Sequence, residues 1–551
     1  MSQSAAEAPA PPATPRAAVS AARRASLRAA KTIAQTAGRA RRSRHFWGVA
    51  GVALAVAAVQ GAFGVQQYHR FRLGGYDLAI FDQAIRNYAH GDWPVSMFKN
   101  VHDAAQIDPS YTAPFTILGD HFSPIFVLLA PLYWIWNNPQ VLLLAQAVLF
   151  GLAVPPVWVF ARRALLRVAS PRFAAISAYL IAGAFGLSWP LQEATQAGFH
   201  EVAFFVPLSA LMIERYQAGR PRQAVACAVV LLFVKEDMGY IVAAFGLILL
   251  LTRRINGTPL DRAARRRYRI TGAVLVVGGV AFAMAVLHLW IPAFGGRPGF
   301  YWYYGQLGPD MPGAIKTLVT DPSYAYQVAT QPEIKVHTLY FLFWPYLYLS
   351  LASPICLLAA PLLAERLFSD KPEHWGLDQH YNAFLSAILI MAATDGLVRI
   401  CRGAGLVRLR WRGRSWRPTV RVTGWTAVAW SGAILAFAIV ITHTFPLFSV
   451  VQPGQWPADQ FTAAEATAAA MIPNGVCVEA DNDIATHLVS RTQVLLLDQV
   501  PRGCPWVVLQ TVGATYPIGD PNLVSERALW LRANGYVLVY SQAQVFVFHR
   551  A

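Results

Sequence analysis

The sequence predicts an all-α polytopic transmembrane bundle of about eleven spans, closed by a small extracytoplasmic α/β domain, and three observations predict it. Of 551 residues, 55% are hydrophobic and only 14% are charged, too little charge to clothe a soluble globule of that length, so lipid is the alternative solvent. The net charge of +17 is gathered in basic blocks beside apolar runs and is not interleaved with surface aromatics, a pattern of topology signals that argues against a nucleic-acid partner. Beyond about residue 450 the long apolar runs stop and short β-rich runs replace them.

Three basic blocks fix the orientation. They are the N-terminal tail (residues 1–44, with Arg23, Arg24, Arg28, Lys31, Arg39, Arg41, Arg42 and Arg44), the connector from Arg253 to Arg269, and the stretch from Arg399 to Arg421. By the positive-inside rule all three are cytoplasmic; loose binding of anionic lipid is a second use for them. The tail lacks a sustained apolar face and is expected to be a disordered cytoplasmic arm. The first apolar run, 46–65, is long enough to cross the hydrocarbon core. It reads as a span and not a cleaved signal, because the basic region before it far exceeds an ordinary n-region.

The transmembrane domain, 45–445, then unrolls in order. Residues 67–122 emerge as an acidic outer loop with Asp77, Asp82, Asp92, Asp103, Asp108 and Asp120. The apolar stretch 122–136 is short for a span and holds Pro124 and Pro131, which suits a re-entrant or surface-lying helix. Spans follow at 141–160, 173–189 and 202–217. The run 224–251 is interrupted at its middle by Lys235-Glu236-Asp237, with basic flanks. Each arm of that hairpin is about 20 Å long at the helical rise, less than the core thickness, so its charged apex sits in the outer leaflet or a watery cavity. Three ionisable groups at that depth suggest a site. Further spans are expected at 270–291, 337–350, 354–367, 382–398 and 424–444. An odd count places residues 446–551 outside, as an α/β domain with a helix at 457–471 and strands near 476–479, 494–497, 506–510, 536–540 and 545–549. Cys477 and Cys504 both fall in that domain and could form one disulfide outside the cell.

Several side chains could carry chemistry. In a helix, Asp77 and Asp82 stand about 140° apart, so one carboxylate can face a cavity while the other is structural. A carboxylate in a desolvated cavity is a general base whose pKa burial raises toward neutrality. Asp120 and His121 sit where the loop re-enters the membrane. Asp120 either caps the helix entered at Pro124, orients the imidazole, or joins it in holding a divalent cation. His200 and Glu201 repeat the pairing of histidine and carboxylate at another outer helix end. Lys235 is a natural phosphate contact, or else an internal partner of Glu236 or Asp237. Arg366 could clamp a phosphate bidentately or merely snorkel, and His380 and Tyr381 follow on the same side.

These landmarks together resemble a domain-of-unknown-function family of bacterial and archaeal membrane proteins grouped with the GT-C glycosyltransferase superfamily. The matching pieces are YDLAIFDQ (Tyr76 to Gln83), GDHFSP (Gly119 to Pro124), FHE (Phe199 to Glu201), VKED (Val234 to Asp237), Glu365-Arg366, His380-Tyr381 and the tail segment from Ile472 to His487. Their order and spacing carry the resemblance. One departure is the absence of a proline between the histidine and glutamate of FHE.

The resemblance implies an inverting sugar transfer from a polyprenyl-phosphate donor to a cell-envelope glycan or glycolipid acceptor, with an acidic residue of the first outer loop as base. Asp77 is the first candidate and Asp82 the second. Lys235, Arg366, His380 and Tyr381 are candidates for the donor phosphate; Asp120, His121, His200, Glu201, Glu236 and Asp237 are candidates for support or for binding the acceptor. Usage rich in Ala, Arg and Val hints at a GC-rich genome, compatible with an actinobacterial envelope arabinan, mannan or related polymer as product. Two other classes compete: a transporter or flippase of lipid-linked sugars, which also wants intramembrane charge, and a noncatalytic envelope scaffold.

Overall fold

The structure is a computed structural model that describes residues 45–106, 116–297, 302–403, 409–411, 414–416, 424–511 and 516–550. The N-terminal arm, Asp108, and Arg408, Arg412, Arg417 and Arg421 of the basic connector lie outside the described residues. Residues 52–551 form one compact unit, which holds every candidate site residue.

Among the described residues, six helical stretches are long and apolar enough to cross a membrane: Phe46–His69, Gln140–Leu165, Pro171–Gln196, Arg262–Ala293, His380–Cys401 and Gly424–Thr444. The protein is a multi-pass membrane protein. In chain order the helices used below are α1 (Phe46–His69), α2 (Gly75–His90), α3 (Met97–Gln106), α4 (Gln140–Leu165), α5 (Pro171–Gly186), α6 (Trp189–Gln196), α7 (Val202–Gln217), α8 (Pro221–Leu231), α9 (Met238–Leu251) and α10 (Arg262–Ala285). They continue with α11 (Ile334–Phe343), α12 (Ala359–Leu367), α13 (Ala383–Cys401) and α14 (Gly424–Ile441).

Where the sequence suggests about eleven spans, several are short or broken helices. Pro124–Tyr133, α8 and α9 are apolar but below spanning length. The stretch expected to cross at 337–350 and return at 354–367 is α11, a series of 3-10 turns, and α12. Pro345 and Pro354 lack the N–H a continuous helix needs, and Leu347 and Tyr348 stand in the left-handed region at φ 53° and 57°, which ends regular helix there.

The Lys-Glu-Asp apex is held by close helix packing. Helices α9 and α10 meet at facing glycines, where a Cβ on Gly246 would come within 2.6 Å of the Gly272 carbonyl oxygen and one on Gly272 within 2.6 Å of that of Gly246. Without side chains the two backbones approach as small-residue membrane pairs do. A second close approach, Gly239 against Gly279, holds the start of α9, next to residues 235–237.

The C-terminal part supplies α15 (Gln460–Met471), β1 (Cys477–Ala480), α16 (Asn482–Leu488), β2 (Gln493–Leu496), β3 (Trp506–Gln510), α17 (Pro521–Ala533), β4 (Val537–Gln542) and β5 (Val545–His549). The strands form one five-stranded sheet in the order β2-β1-β3-β5-β4. β1 runs parallel to β2 and β3, and β5 is antiparallel to β3 and β4. Val507, Leu509, Val524, Leu531 and Phe548 pack in its core, as alternation in β3 and β5 with an apolar face on α17 requires. A disulfide joins Cys477 to Cys504.

Candidate active site

The first motif, YDLAIFDQ, is carried on α2, whose apolar residues Leu78, Phe81, Ala84 and Ile85 are buried. Phe81 sets its ring edge-on to Phe126, Phe199 and His200, with centroids 5.1, 5.9 and 5.8 Å away. This packing turns the two aspartates to different surroundings. Asp82 is fully buried, paired with Arg86 one turn on, and accepts the Tyr133 hydroxyl at 2.8 Å. Asp77 keeps 46% of its side chain exposed, with Oδ1 3.5 Å from Nε2 of His200.

The charge state of Asp77 differs from the expectation drawn from burial alone. Burial is the largest single influence and pushes its carboxyl up, but His200, Lys371 and Lys99 together outweigh it, and the net direction is down. A neighbouring imidazole and two ammonium groups favour the carboxylate. Asp77 is therefore ionised at neutral pH and can only accept a proton.

The second, third and fourth motifs converge on one knot. His121 Nδ1 donates to Glu236 at 2.8 Å and the Phe122 N–H donates to the other oxygen of Glu236 at 3.2 Å. Ser123 Oγ donates to Glu201 at 3.4 Å, and the Ile125 N–H bonds the Phe233 carbonyl at 3.1 Å. Segments 119–124, 199–201 and 234–237, far apart in sequence, thus share one hydrogen-bonded centre. Asp120 faces elsewhere, 3.4 Å from Lys99, which also lies 3.3 Å from Asp103.

Asp120 and His121, the pair the sequence offered for a divalent cation, meet different side chains, Lys99 and Glu236. Burial opposes charge on His121, but Glu236 and then Asp120 raise its pKa to about 9. Asp120 already answers an ammonium. Among the described residues no group of three or more His, Cys, Asp or Glu is arranged to hold a metal ion.

A stability prediction follows from this pair. The folded pKa of His121 lies above its unfolded value, so the stabilisation is complete below about pH 6.5 and is lost as pH rises through 9. Melting curves between pH 6 and 10 are expected to show a fall in Tm above pH 8 that His121→Gln removes. An equal fall in that variant would assign the loss to other groups.

His200 and His380 lie face to face, ring centroids 3.6 Å apart and planes 19° from parallel. Both are buried, and neither nitrogen of His200 nor Nδ1 of His380 has a hydrogen-bond partner among the described residues. Tyr381 sits against His380 and His374, at 4.2 and 4.6 Å. Burial, then Lys235 and Lys371, push His374 down to about 3, so it is neutral. The loop bearing these groups is organised by Arg366, which donates to the His374 carbonyl at 2.9 Å, to Asn382 Oδ1 at 2.6 Å and to the Gly376 carbonyl at 3.3 Å. Its fork is engaged by its own chain.

Lys235 is different. It is buried, and among the described residues no hydrogen bond or ion pair reaches its ammonium; Asp237, Glu236, Glu365 and Glu201 act on it only from further off. The charges of both Lys235 and Asp77 act on Tyr381, so the cation and the carboxylate are both within electrostatic reach of that ring.

Sequence reasoning passed over Lys99, Lys371 and Asn482. Lys99 had a local signal in Asp103, one turn later on α3. Lys371 and Asn482 had none, since what they face is distant in sequence. Asn482 accepts the Tyr76 N–H at 2.8 Å, and nearby His487 is stacked on Phe71 at 3.7 Å.

A family model described as "Predicted membrane protein (DUF2079)" matches residues 67–507. Two solved structures are similar to the chain. One is the crystal structure of ArnT from Cupriavidus metallidurans bound to undecaprenyl phosphate, at 14% identity and TM-score 0.45, with 92% of this chain and 98% of that chain covered. The other is the same protein in the apo state, at 13% identity and TM-score 0.48, with 91% and 97% covered. No curated protein matches the sequence.

Proposed function

The chain belongs to the DUF2079 family of predicted membrane proteins, and on that premise we propose that it is a GT-C-type glycosyltransferase. It moves a sugar, with inversion, from a polyprenyl-phosphate donor to a cell-envelope glycan or glycolipid on the outer face of the membrane. The observation that carries this reading is Lys235, a buried ammonium without a bonded counter-charge. The carboxylates around it favour its charged form without bonding it, so its N–H groups are left for an anion, and a lipid phosphate entering sideways from the bilayer is such an anion.

The chemistry then divides among named groups. The ionised Asp77 accepts the proton of an acceptor hydroxyl, whose oxygen attacks the anomeric carbon from the face opposite the phosphate. The bond from that carbon to the phosphate oxygen breaks, and the polyprenyl phosphate leaves against Lys235, with His380 and Tyr381 lining its place. His200 holds Asp77 in its charged form. Arg366 acts by shaping the loop, and Glu236 and Glu201 by fixing the knot that carries Lys235. The Cys477–Cys504 disulfide supports an oxidising, extracytoplasmic setting for the sheet domain.

The test is transfer itself. Membranes containing the protein, supplied with polyprenyl phosphate carrying a labelled sugar, are expected to move label into a glycan or glycolipid fraction. Label that crosses sealed vesicles while still attached to its lipid would make the protein a flippase and sink the proposal.

A further inference from the structure

Helix α2 begins without a cap of its own. Its N-cap residue is Gly74, at φ −65° and ψ 138°, with no side chain to bond the free N–H groups of the first turn. An N-cap Ser, Asp or Asn would supply an oxygen to the N–H of the second or third helical residue. Here that oxygen comes from a residue 406 positions away, for Asn482 Oδ1 accepts the N–H of Tyr76, the second helical residue, at 2.8 Å.

The sequence makes room for this donor of an oxygen. A Cβ on Gly74 would lie 2.7 Å from Asn482 Nδ2, and one on Gly75 would lie 2.9 Å from the Asn482 carbonyl oxygen. The helix that presents Asn482 is itself anchored on the preceding segment. His487 is stacked between Tyr68 and Phe71, with centroids at 4.1 and 3.7 Å, and its Nε2 lies 3.0 Å from the Tyr68 carbonyl oxygen. Asp77 is the very next residue after Tyr76.

We propose that Asn482 is a helix cap supplied in trans by the sheet domain, a positioning residue that fixes where the Asp77 carboxylate stands against His200. A first-turn aspartate ordinarily turns back toward the free N–H groups beside it. Here Asn482 takes the Tyr76 N–H, and the Asp77 side chain, 46% exposed, stands with Oδ1 3.5 Å from His200 Nε2. The docking of the sheet domain is thereby part of the geometry of the site. Its catalytic consequence rests on the transferase reading; the cap does not.

The experiment exchanges the cap from trans to cis in the full chain in detergent, read by hydrogen exchange over residues 74–82. Asn482→Ala is expected to speed exchange there about fivefold, the equivalent of a lost cap. Adding Gly74→Ser is expected to restore slow exchange, because the Gly74 backbone is already in cap geometry and the alanine no longer obstructs a serine side chain. Asn482→Asp keeps an acceptor and stays near wild type. Unchanged exchange in Asn482→Ala, or no recovery in the double variant, overturns the cap.

The activity arm separates the two claims. Asn482→Ala is expected to lower kcat about 10- to 100-fold at unchanged KM for a polyprenyl-phosphate sugar, with recovery in the double variant. Altered exchange with unaltered kcat would overturn the positioning role. Exchange as expected in a protein whose wild type transfers nothing would leave the cap standing and remove the transferase.

Discussion

Asp77→Asn is expected to reduce sugar transfer by about 10²- to 10⁴-fold while leaving the protein folded. The range is that of a missing general base, and the amide keeps the shape of the carboxylate but cannot take the acceptor proton. Because nearly half of the Asp77 side chain is exposed and its contact with His200 is 3.5 Å long, little stability is at stake. The Tm in detergent should move by no more than a few degrees. Transfer at the wild-type rate would remove Asp77 from the chemistry. The low pKa direction of Asp77 also implies that transfer persists as pH falls toward the carboxylate range and fails only there.

Asp82→Ala is expected to do the opposite. Asp82 is fully buried against Arg86 and Tyr133, and removing one partner of a buried pair is destabilising by about 3–5 kcal/mol, since the guanidinium is left uncompensated. Lower yield and an earlier melting transition should follow. The double substitution Asp82→Leu with Arg86→Met should recover part of the loss, short of the hydrogen bond that Arg86 also donates to the Ser490 carbonyl at 3.1 Å. A singly substituted Asp82 variant that melts like wild type would contradict this division of labour between the two aspartates.

That division shows how far the sequence could be read. Helical spacing was enough to say that Asp77 and Asp82 face different ways, but not which one meets the cavity. The deciding residues, Tyr133 and His200, lie on other segments. The same limit explains the pKa of Asp77. Burial of a carboxylate was foreseeable, whereas the imidazole and the two lysines that together override it come from segments remote in sequence. The convergence of His121, Glu201 and Glu236 depends likewise on the way Ser123 and Ile125 bond to remote segments.

The membrane pattern was more legible. Runs of about 20 apolar residues stand out at α1, α4, α10 and α14, and the strands fall where short β-rich runs alternate with Gly, Pro and Asn. Pro345 and Pro354 mark an interruption within 337–367, but its course through 3-10 turns between α11 and α12 also depends on left-handed conformations at Leu347 and Tyr348 that no residue type demands. A cap supplied by Asn482 is equally invisible in a local reading, because helix-start signals are sought within a few residues of the helix.

The most direct test of the account is binding of polyprenyl phosphate, without sugar, to the purified protein and two variants. Lys235→Met, which keeps length and burial but removes the ammonium, is predicted to weaken binding at least about tenfold, the worth of one charge-assisted contact. Asp77→Asn is predicted to bind as wild type does. Equal affinity in wild type and Lys235→Met would contradict the claim that the buried ammonium of Lys235 receives the lipid phosphate.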